Sequence, residues 1–515
     1  MTVALSDGKR NLWCGIAAAV SALLLWAAYP PHSETLAILV ALVPMLVVAR
    51  LSSLKRSALI FFLFGFLFWV LSLSWMPAII KNNGPWPLVL LGWFALAAAC
   101  AGYMALFGFG AAWLWRRRER VRSPALFAIV CLFAEAGLWA LIEYLRATLF
   151  TGFAWNFLGT AFAALPSFAT PARFGGVYLV SALVVLLNGV FATLFLRVFA
   201  PVLGIAEGIP SRSRLMGRLV QIAETGLPLA FILACLCVGN RMVRDGAARN
   251  AAPTYLRVAL VQRNAPCCFK PGKRENAYEA FGQLLDVAAA AKPDLVVLAE
   301  SAMAEFGSVR SFRAQDVARD FLKRAGAKLL MAGGDDVVSN RTHNAVALYT
   351  PDGEAGGGLR AVYHKQHLVP FGEYIPFDKW ITPLQKLSPV GVSLHPGEQT
   401  LFMVDVGGRT LKIAPLICYE DTAPALAAKA KKMGADLIVL VTNDSWFSNS
   451  AEAEAHTAQA VLRAVETGLP IVRVGNSGVT GVIRPDGTAR WLSDDNGRPL
   501  VDAPGILLET VAVPK

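Results

Sequence analysis

Two patterns of apolar and polar positions follow one another along the chain, changing near Asn240. Before that point apolar residues come in long runs, at residues 12–29, 36–48, 57–74, 88–115, 124–145, 177–199 and 227–238. A bilayer core takes about 20 apolar residues of helix. The runs therefore predict a polytopic α-helical membrane bundle of about seven helices over residues 1–240, the second and seventh runs borrowing residues from their flanks. From Tyr255 onward short β-branched runs alternate with helical stretches, the pattern of an α/β layered domain over residues 241–515. Strands are expected at 255–262, 295–299, 328–332, 344–349, 411–417, 437–442, 470–474 and 479–483, and helices near 275–291, 423–433 and 455–467. Residues 292–298, running into Glu300, are echoed by residues 434–440, running into Asn443 and Asp444. Buried strands share such composition by chance, and a domain of two similar halves would also produce it.

Composition sharpens the first half of this picture. The chain is 55% hydrophobic and 16% charged, with mean hydropathy +0.50, which a soluble domain of 515 residues would not tolerate. The net charge of +12 points to nucleic acid only until it is located. Lys9 and Arg10, then Arg50, Lys55 and Arg56, then Arg116, Arg117, Arg118, Arg120 and Arg122, then Arg212, Arg214 and Arg218 fall in alternate loops. The intervening loops hold little beyond Lys81, Arg146 and Arg173. This is the asymmetry that keeps positive loops in the cytoplasm, and nucleic acid is not an expected partner. It predicts a cytoplasmic N-terminus, a C-terminal domain on the outer side and, with no further apolar run after residues 506–509, an external Lys515. The loop from Glu143 to Trp155 reads as an interfacial aromatic belt with a snorkelling Arg146, or as a wall facing lipid.

Cys14, Cys100, Cys131, Cys235 and Cys237 lie in apolar runs, and Cys267 and Cys268 are adjacent, so no disulfide framework is expected. The six histidines show no metal-ligand spacing, and neither a metal nor another cofactor is expected.

Three residues carry candidate chemistry. Cys418 follows an apolar strand and precedes a helix, a sharp turn that lifts a thiol out of a sheet towards backbone N–H groups. A buried cysteine at a strand end is the plain alternative, which the following Tyr419, Glu420 and Asp421 weaken. Glu300 ends a buried strand, where α/β proteins place working carboxylates, although a solvated strand end looks the same. Lys365 lies in a polar stretch interleaved with Pro and Gly, where a lysine is usually exposed and Glu373 is simply its ion-pair partner. Together they make a base, an oxyanion-stabilising cation and a thiol nucleophile.

The segments Tyr363-His364-Lys365, Val369-Pro370-Phe371-Gly372-Glu373-Tyr374-Ile375-Pro376, Ala414-Pro415-Leu416-Ile417-Cys418-Tyr419-Glu420 and Thr442-Asn443-Asp444-Ser445-Trp446-Phe447 resemble the nitrilase-type domain of apolipoprotein N-acyltransferases. So does Arg473 with Asn476 to Thr480, and the loop from Glu143 to Trp155 resembles the family's membrane half. The resemblance implies a nitrilase-like α-β-β-α sandwich beside the membrane bundle. It makes Glu300 the general base, Lys365 the oxyanion-stabilising cation and Cys418 the nucleophile, with Glu373 assisting and Tyr419 and Glu420 shaping the pocket. It implies a membrane phospholipid as acyl donor and the α-amino group of a lipoprotein's N-terminal diacylglyceryl-cysteine as acceptor. It also implies a bacterial inner membrane with the catalytic domain on the periplasmic face. The chain departs from the pattern at Leu298-Ala299, Arg263, Pro271 and residues 448–455. A membrane-anchored amidase or nitrilase with the same triad is the alternative, for which one anchoring helix would suffice. A transporter or scaffold with a dead outer domain would not need Glu300, Lys365 and Cys418 together.

Overall fold

The computed structural model describes residues 7–82, 84–117, 124–199, 214–249, 252–266, 276–351, 358–376 and 393–514. Cys267, Cys268 and Pro271, and the loop arginines Arg118, Arg120, Arg122 and Arg212, lie outside them. The described chain forms two compact units, one of residues 1–77 and 86–242, the other of residues 78–85 and 243–515.

Apolar runs become helices: α1 (Asp7–Ala27), α2 (Val43–Leu51), α3 (Leu54–Ser72), the single turn α4 (Ala78–Lys81), α5 (Trp86–Trp115), α6 (Pro124–Thr148), α7 (Ala172–Phe199) and α8 (Arg214–Arg249). Among the described residues six are long and apolar enough to cross a membrane, and a shorter apolar stretch covers Thr35–Leu51. The expected count of seven therefore needs this shorter stretch. It is broken into a 3-10 turn, Thr35–Leu39, and α2, because Pro44 near the start of α2 cannot continue a helix from before it. The short seventh run, by contrast, is absorbed into the long helix α8.

Polar groups buried in the first unit fix how Thr35–Leu51 runs. The Thr35 hydroxyl donates to the Ala161 carbonyl at 3.0 Å, next to Phe157, whose carbonyl accepts from Tyr29 at 3.0 Å. Further along, Asn188 on α7 accepts from Leu42 N–H at 2.9 Å and donates to the Ile38 carbonyl at 3.0 Å. At the far end Arg50 reaches Glu135 at 3.0 Å, Thr193 at 2.9 Å and the Gly189 carbonyl at 3.2 Å. The interrupted stretch thus packs on the second half of α7, between Asn188 and Thr193. Arg146 does not snorkel. It is buried, and its Nη1 donates to the carbonyls of Phe153 and Trp155 at 2.6 and 2.7 Å, bracing the loop that follows α6.

The second unit holds β1 (Thr254–Gln262), α9 (Ala277–Ala289), β2 (Leu295–Leu298), α10 (Phe312–Ala325), β3 (Leu329–Val338), β4 (Arg341–Tyr349), β5 (Leu359–His364), β6 (Phe402–Val406), β7 (Arg409–Ile417), α11 (Pro424–Lys432), β8 (Leu437–Thr442), α12 (Glu452–Thr467), β9 (Ile471–Gly475), β10 (Gly481–Ile483), β11 (Ala489–Trp491) and β12 (Gly505–Val513). One sheet runs β12-β1-β2-β3-β4-β5 and the other β6-β7-β8-β9-β10-β11. Both have the same pairing sequence across the sheet: antiparallel, parallel, parallel, antiparallel, antiparallel. The echo between residues 292–298 and 434–440 falls on the equivalent strands β2 and β8, so the unit is built of two similar halves.

Alternation along the strands places Val258, Leu260, Val297 and Met331 of one sheet against Ile413, Val439, Val441 and Val472 of the other in one core. The opposite face of the first sheet packs on α9 and α10 through Val261, Val296, Leu298, Phe281 and Phe321. With α11 and α12 belonging to the second half, the layers read α-β-β-α. Ser311 caps α10 by accepting from Ala314 N–H, and Gly326, in the left-handed region, ends it.

Candidate active site

Three strand ends and one strand interior converge. Glu300 follows β2, Lys365 follows β5, Cys418 follows β7, and Asn344 lies within β4. Lys365 is 1% exposed, so the plain alternative of an ordinary exposed loop lysine does not hold. Its backbone explains the burial: Lys365 N–H donates to the Asn344 carbonyl at 2.9 Å, and Gly397 N–H donates to the Lys365 carbonyl, continuing β5 inward. The ammonium lies 2.9 Å from Glu373 and 3.8 Å from Glu300 Oε1. The Asn344 amide donates to both carboxylates at 2.7 Å, a bridge that the sequence did not flag. Glu373 also accepts from Val369 N–H at 2.8 Å, which closes the loop between them.

The charges tune one another. Burial pushes the Glu300 carboxyl above its ordinary range against the pull of Lys365, and Glu373 adds to the rise. Burial opposes the charge on Lys365, but Glu373, Cys418 and Glu300 outweigh it and hold the ammonium protonated. Burial and the Glu300 charge push the Cys418 thiol well up, with Lys365 pulling the other way. The resting group on Cys418 is therefore a thiol, not a ready-made thiolate.

Cys418 has φ +51°. A non-glycine residue there costs about 1–3 kcal/mol and persists only where its surroundings over-determine it. The turn differs from the expected helix start: Cys418–Thr422 is a 3-10 turn, and α11 begins only at Pro424. The help that an α-helix N-terminus gives a thiolate is therefore weaker than expected. Glu420 is fully buried. It accepts from Ile417 N–H at 2.8 Å on its own turn, and from Gln366 N–H at 2.6 Å, His367 N–H at 3.2 Å and the Tyr363 hydroxyl at 2.8 Å. It ties the turn carrying Cys418 to the strand end carrying Lys365. Burial pushes its carboxyl up to about 7. Tyr419 stacks on His367 at 5.3 Å between ring centres.

With this geometry in view, two family models account for most of the chain. One, for the apolipoprotein N-acyltransferase N-terminal domain, matches residues 21–190; the other, for carbon-nitrogen hydrolase, matches residues 257–497. An apolipoprotein N-acyltransferase of Allorhizobium ampelinum is 32% identical over 466 residues, covering 85% of this chain and 78% of that protein. This chain belongs to the apolipoprotein N-acyltransferase family. A second apolipoprotein N-acyltransferase, from Geobacter metallireducens, is 29% identical over 92% of this chain and 86% of its own length. An amidase from Nesterenkonia sp. of the crystallised proteins aligns at 20% identity over 51% of this chain and 92% of its own, with TM-score 0.37.

In this N-acyltransferase family member a second polar cluster lies behind the Cys418 turn. Asp421, Asp444, Glu452, His456 and Arg473 are all buried. The donor atoms of Asp444, Glu452 and His456 come within 4.8 Å of one another, the spacing of a metal site. However, Arg473 Nη2 stands 3.2 Å from both Asp444 Oδ2 and His456 Nδ1, so a guanidinium already supplies the positive charge. The motif containing Arg473 was legible in the sequence, but nothing there linked it to His456. The segment 78–85, which lies in sequence between two long apolar helices, folds with the second unit. There Asn82 is buried and donates to the carbonyls of Ser445 and Trp446 at 3.1 and 2.8 Å, holding the turn that follows Asp444.

Proposed function

We propose that this chain performs the acyl transfer of its family through a thioester on Cys418, with Glu300 as general base and Lys365 as oxyanion-stabilising cation. The observation that carries the reading is the burial of Lys365 between Glu300 and Glu373 at the strand end that Glu420 ties to the Cys418 turn. A membrane phospholipid delivers its acyl group to the sulfur: Glu300 takes the thiol proton, the thiolate adds to the ester carbonyl, and Lys365 stabilises the oxyanion. One such donor is typically worth about 3–4 kcal/mol. The tetrahedral adduct then collapses with cleavage of the acyl–oxygen bond, Glu300 returns its proton to the departing lysophospholipid oxygen, and the thioester remains. The neutral α-amine of a lipoprotein's N-terminal diacylglyceryl-cysteine then attacks, Glu300 accepts its proton, and the amide forms as the thiol returns.

A hydrolase with the same three residues needs no large bundle. Six membrane-crossing helices and the match over residues 21–190 favour lipid-anchored substrates, which arrive by lateral diffusion. Mass spectrometry of lipoprotein N-termini from cells depleted of this protein should show the diacylated form accumulating. An undiminished triacylated N-terminus would exclude the reading.

The protein is a multi-pass membrane protein, and the reading extends to its orientation in a bacterial inner membrane. Thr35–Leu51, packed on α7, counts as a crossing beside the six long helices. With the positive loops in the cytoplasm, an odd number of crossings puts residues 243–515 on the periplasmic face. Alkaline phosphatase fused after Lys515 should be active. An inactive fusion, with a cytoplasmic reporter active at the same site, would reverse the assignment.

A further inference from the structure

The cluster behind the nucleophile has no part in the proton transfers above, yet it is the most densely charged buried group among the described residues of the second unit. Its centre is His456, on the first turns of α12. Nε2 lies 2.9 Å from Asp421 Oδ1 and Nδ1 lies 3.0 Å from Asp444 Oδ1. Carboxylate oxygens accept only, so both ring nitrogens must carry hydrogen and the ring is an imidazolium. From its own helix Glu452 Oε1 faces Nδ1 at 3.6 Å, and from β9 Arg473 Nη2 lies 3.2 Å away. Three acidic side chains thus enclose two cations.

Both carboxylates that the ring holds belong to the surroundings of Cys418. Asp421 sits in the same 3-10 turn as Cys418. Asp444 accepts from the Thr442 hydroxyl at 2.8 Å, and Thr442 ends β8, the strand paired with the β7 that leads into Cys418. The ring therefore joins the two strand-end turns that flank the sulfur. We infer that His456 is a positioning residue for Cys418, a fixed cation that clamps Asp421 to Asp444 and sets the charge the thiol meets as it ionises. Glu420 holds the left-handed turn from the side of Lys365, and His456 holds it from the side of α12. Asp444 opposes ionisation of both Cys418 and Glu300. Its neutralisation by His456 and Arg473 is what lets a thiolate form within reach of Asp444.

The inference rests on Cys418 being the nucleophile, and its test is readable without acyl transfer. Alkylation of Cys418 by iodoacetamide is followed against pH in the full-length protein, by mass spectrometry of the Cys418 peptide. His456→Asn keeps one hydrogen bond and loses the charge, so its alkylation midpoint should rise by about 0.5–1 pH unit. Acylation by phospholipid at neutral pH should slow to match. His456→Lys should bring the midpoint back towards the wild-type value. A midpoint that is unchanged in His456→Asn, or raised equally in both variants, overturns the inference. Should His456→Asn fail to fold, the wild-type protein labelled with 15N-histidine decides. One of the six rings should stay doubly protonated well above the ordinary histidine range, and titration of all six within that range overturns it. If wild-type Cys418 alkylates normally but never acquires an acyl group, the acyl-transfer reading fails instead.

Discussion

Cys418→Ala should gain no acyl mass when incubated with phospholipid alone, whereas the wild-type protein gains one acyl group that neutral hydroxylamine removes. Removing a triad nucleophile costs turnover on the order of 10⁶-fold. No other group in the site can replace it: Glu300, Glu373 and Lys365 are tied to one another and to Asn344. Protein stability should hardly fall. Replacement by alanine removes one atom and leaves the Glu420 bonds to the turn intact. The positive φ at position 418 remains strained in alanine as in cysteine. Acyl mass on the alanine variant, or transfer that strictly requires both substrates bound together, would contradict a two-step thioester route.

Glu300→Gln is the second large effect and carries a pH signature. General-base catalysis contributes about 10²–10⁴-fold, and here the thiol needs it, since its pKa lies well above the ordinary value. In the wild-type protein the base must be ionised. The burial of Glu300 raises its pKa, so acylation should fall as pH drops through a value above the usual carboxylate range, and level off on the alkaline side. The glutamine variant removes that step and leaves hydroxide to ionise the thiol. Its residual acylation should rise about tenfold per pH unit until the thiol itself titrates. The two profiles converge at high pH if Glu300 acts as the base. Single-turnover rates of thioester formation between pH 5 and 10 check this, and parallel profiles would remove Glu300 from that role.

Much of this protein is legible in its sequence because the physics involved is local. A run of apolar residues must bury its backbone polar groups in a helix wherever it meets lipid, so six of the long runs appear as long helices. Alternation with β-branched residues places Val258, Leu260, Ile413 and Val439 in one core whatever the rest does. The echo of residues 292–298 in residues 434–440 is likewise local, and it identifies β2 and β8 as equivalent strands. What ran along the chain but failed was interruption: Pro44 splits the second run, and the turn at Cys418 tightens into a 3-10 turn rather than opening an α-helix.

Only the tertiary structure decides the electrostatics. Lys365 reads as exposed in its polar, glycine- and proline-containing stretch, and it is buried because β5 pairs with β4 and delivers it beside Asn344. Arg146 reads as snorkelling, and it is buried because the loop after α6 folds back and offers it two carbonyls. Glu420 ends up bracing two strand ends, which no spacing along the chain announces. Asp421, Asp444, His456 and Arg473 come from four separate elements, and no spacing along the chain relates them. Burial and pairing depend on which distant segment arrives opposite a side chain. Since the strength of a charge is set by that partner and by the loss of water around it, a sequence can name these residues before it can assign them work.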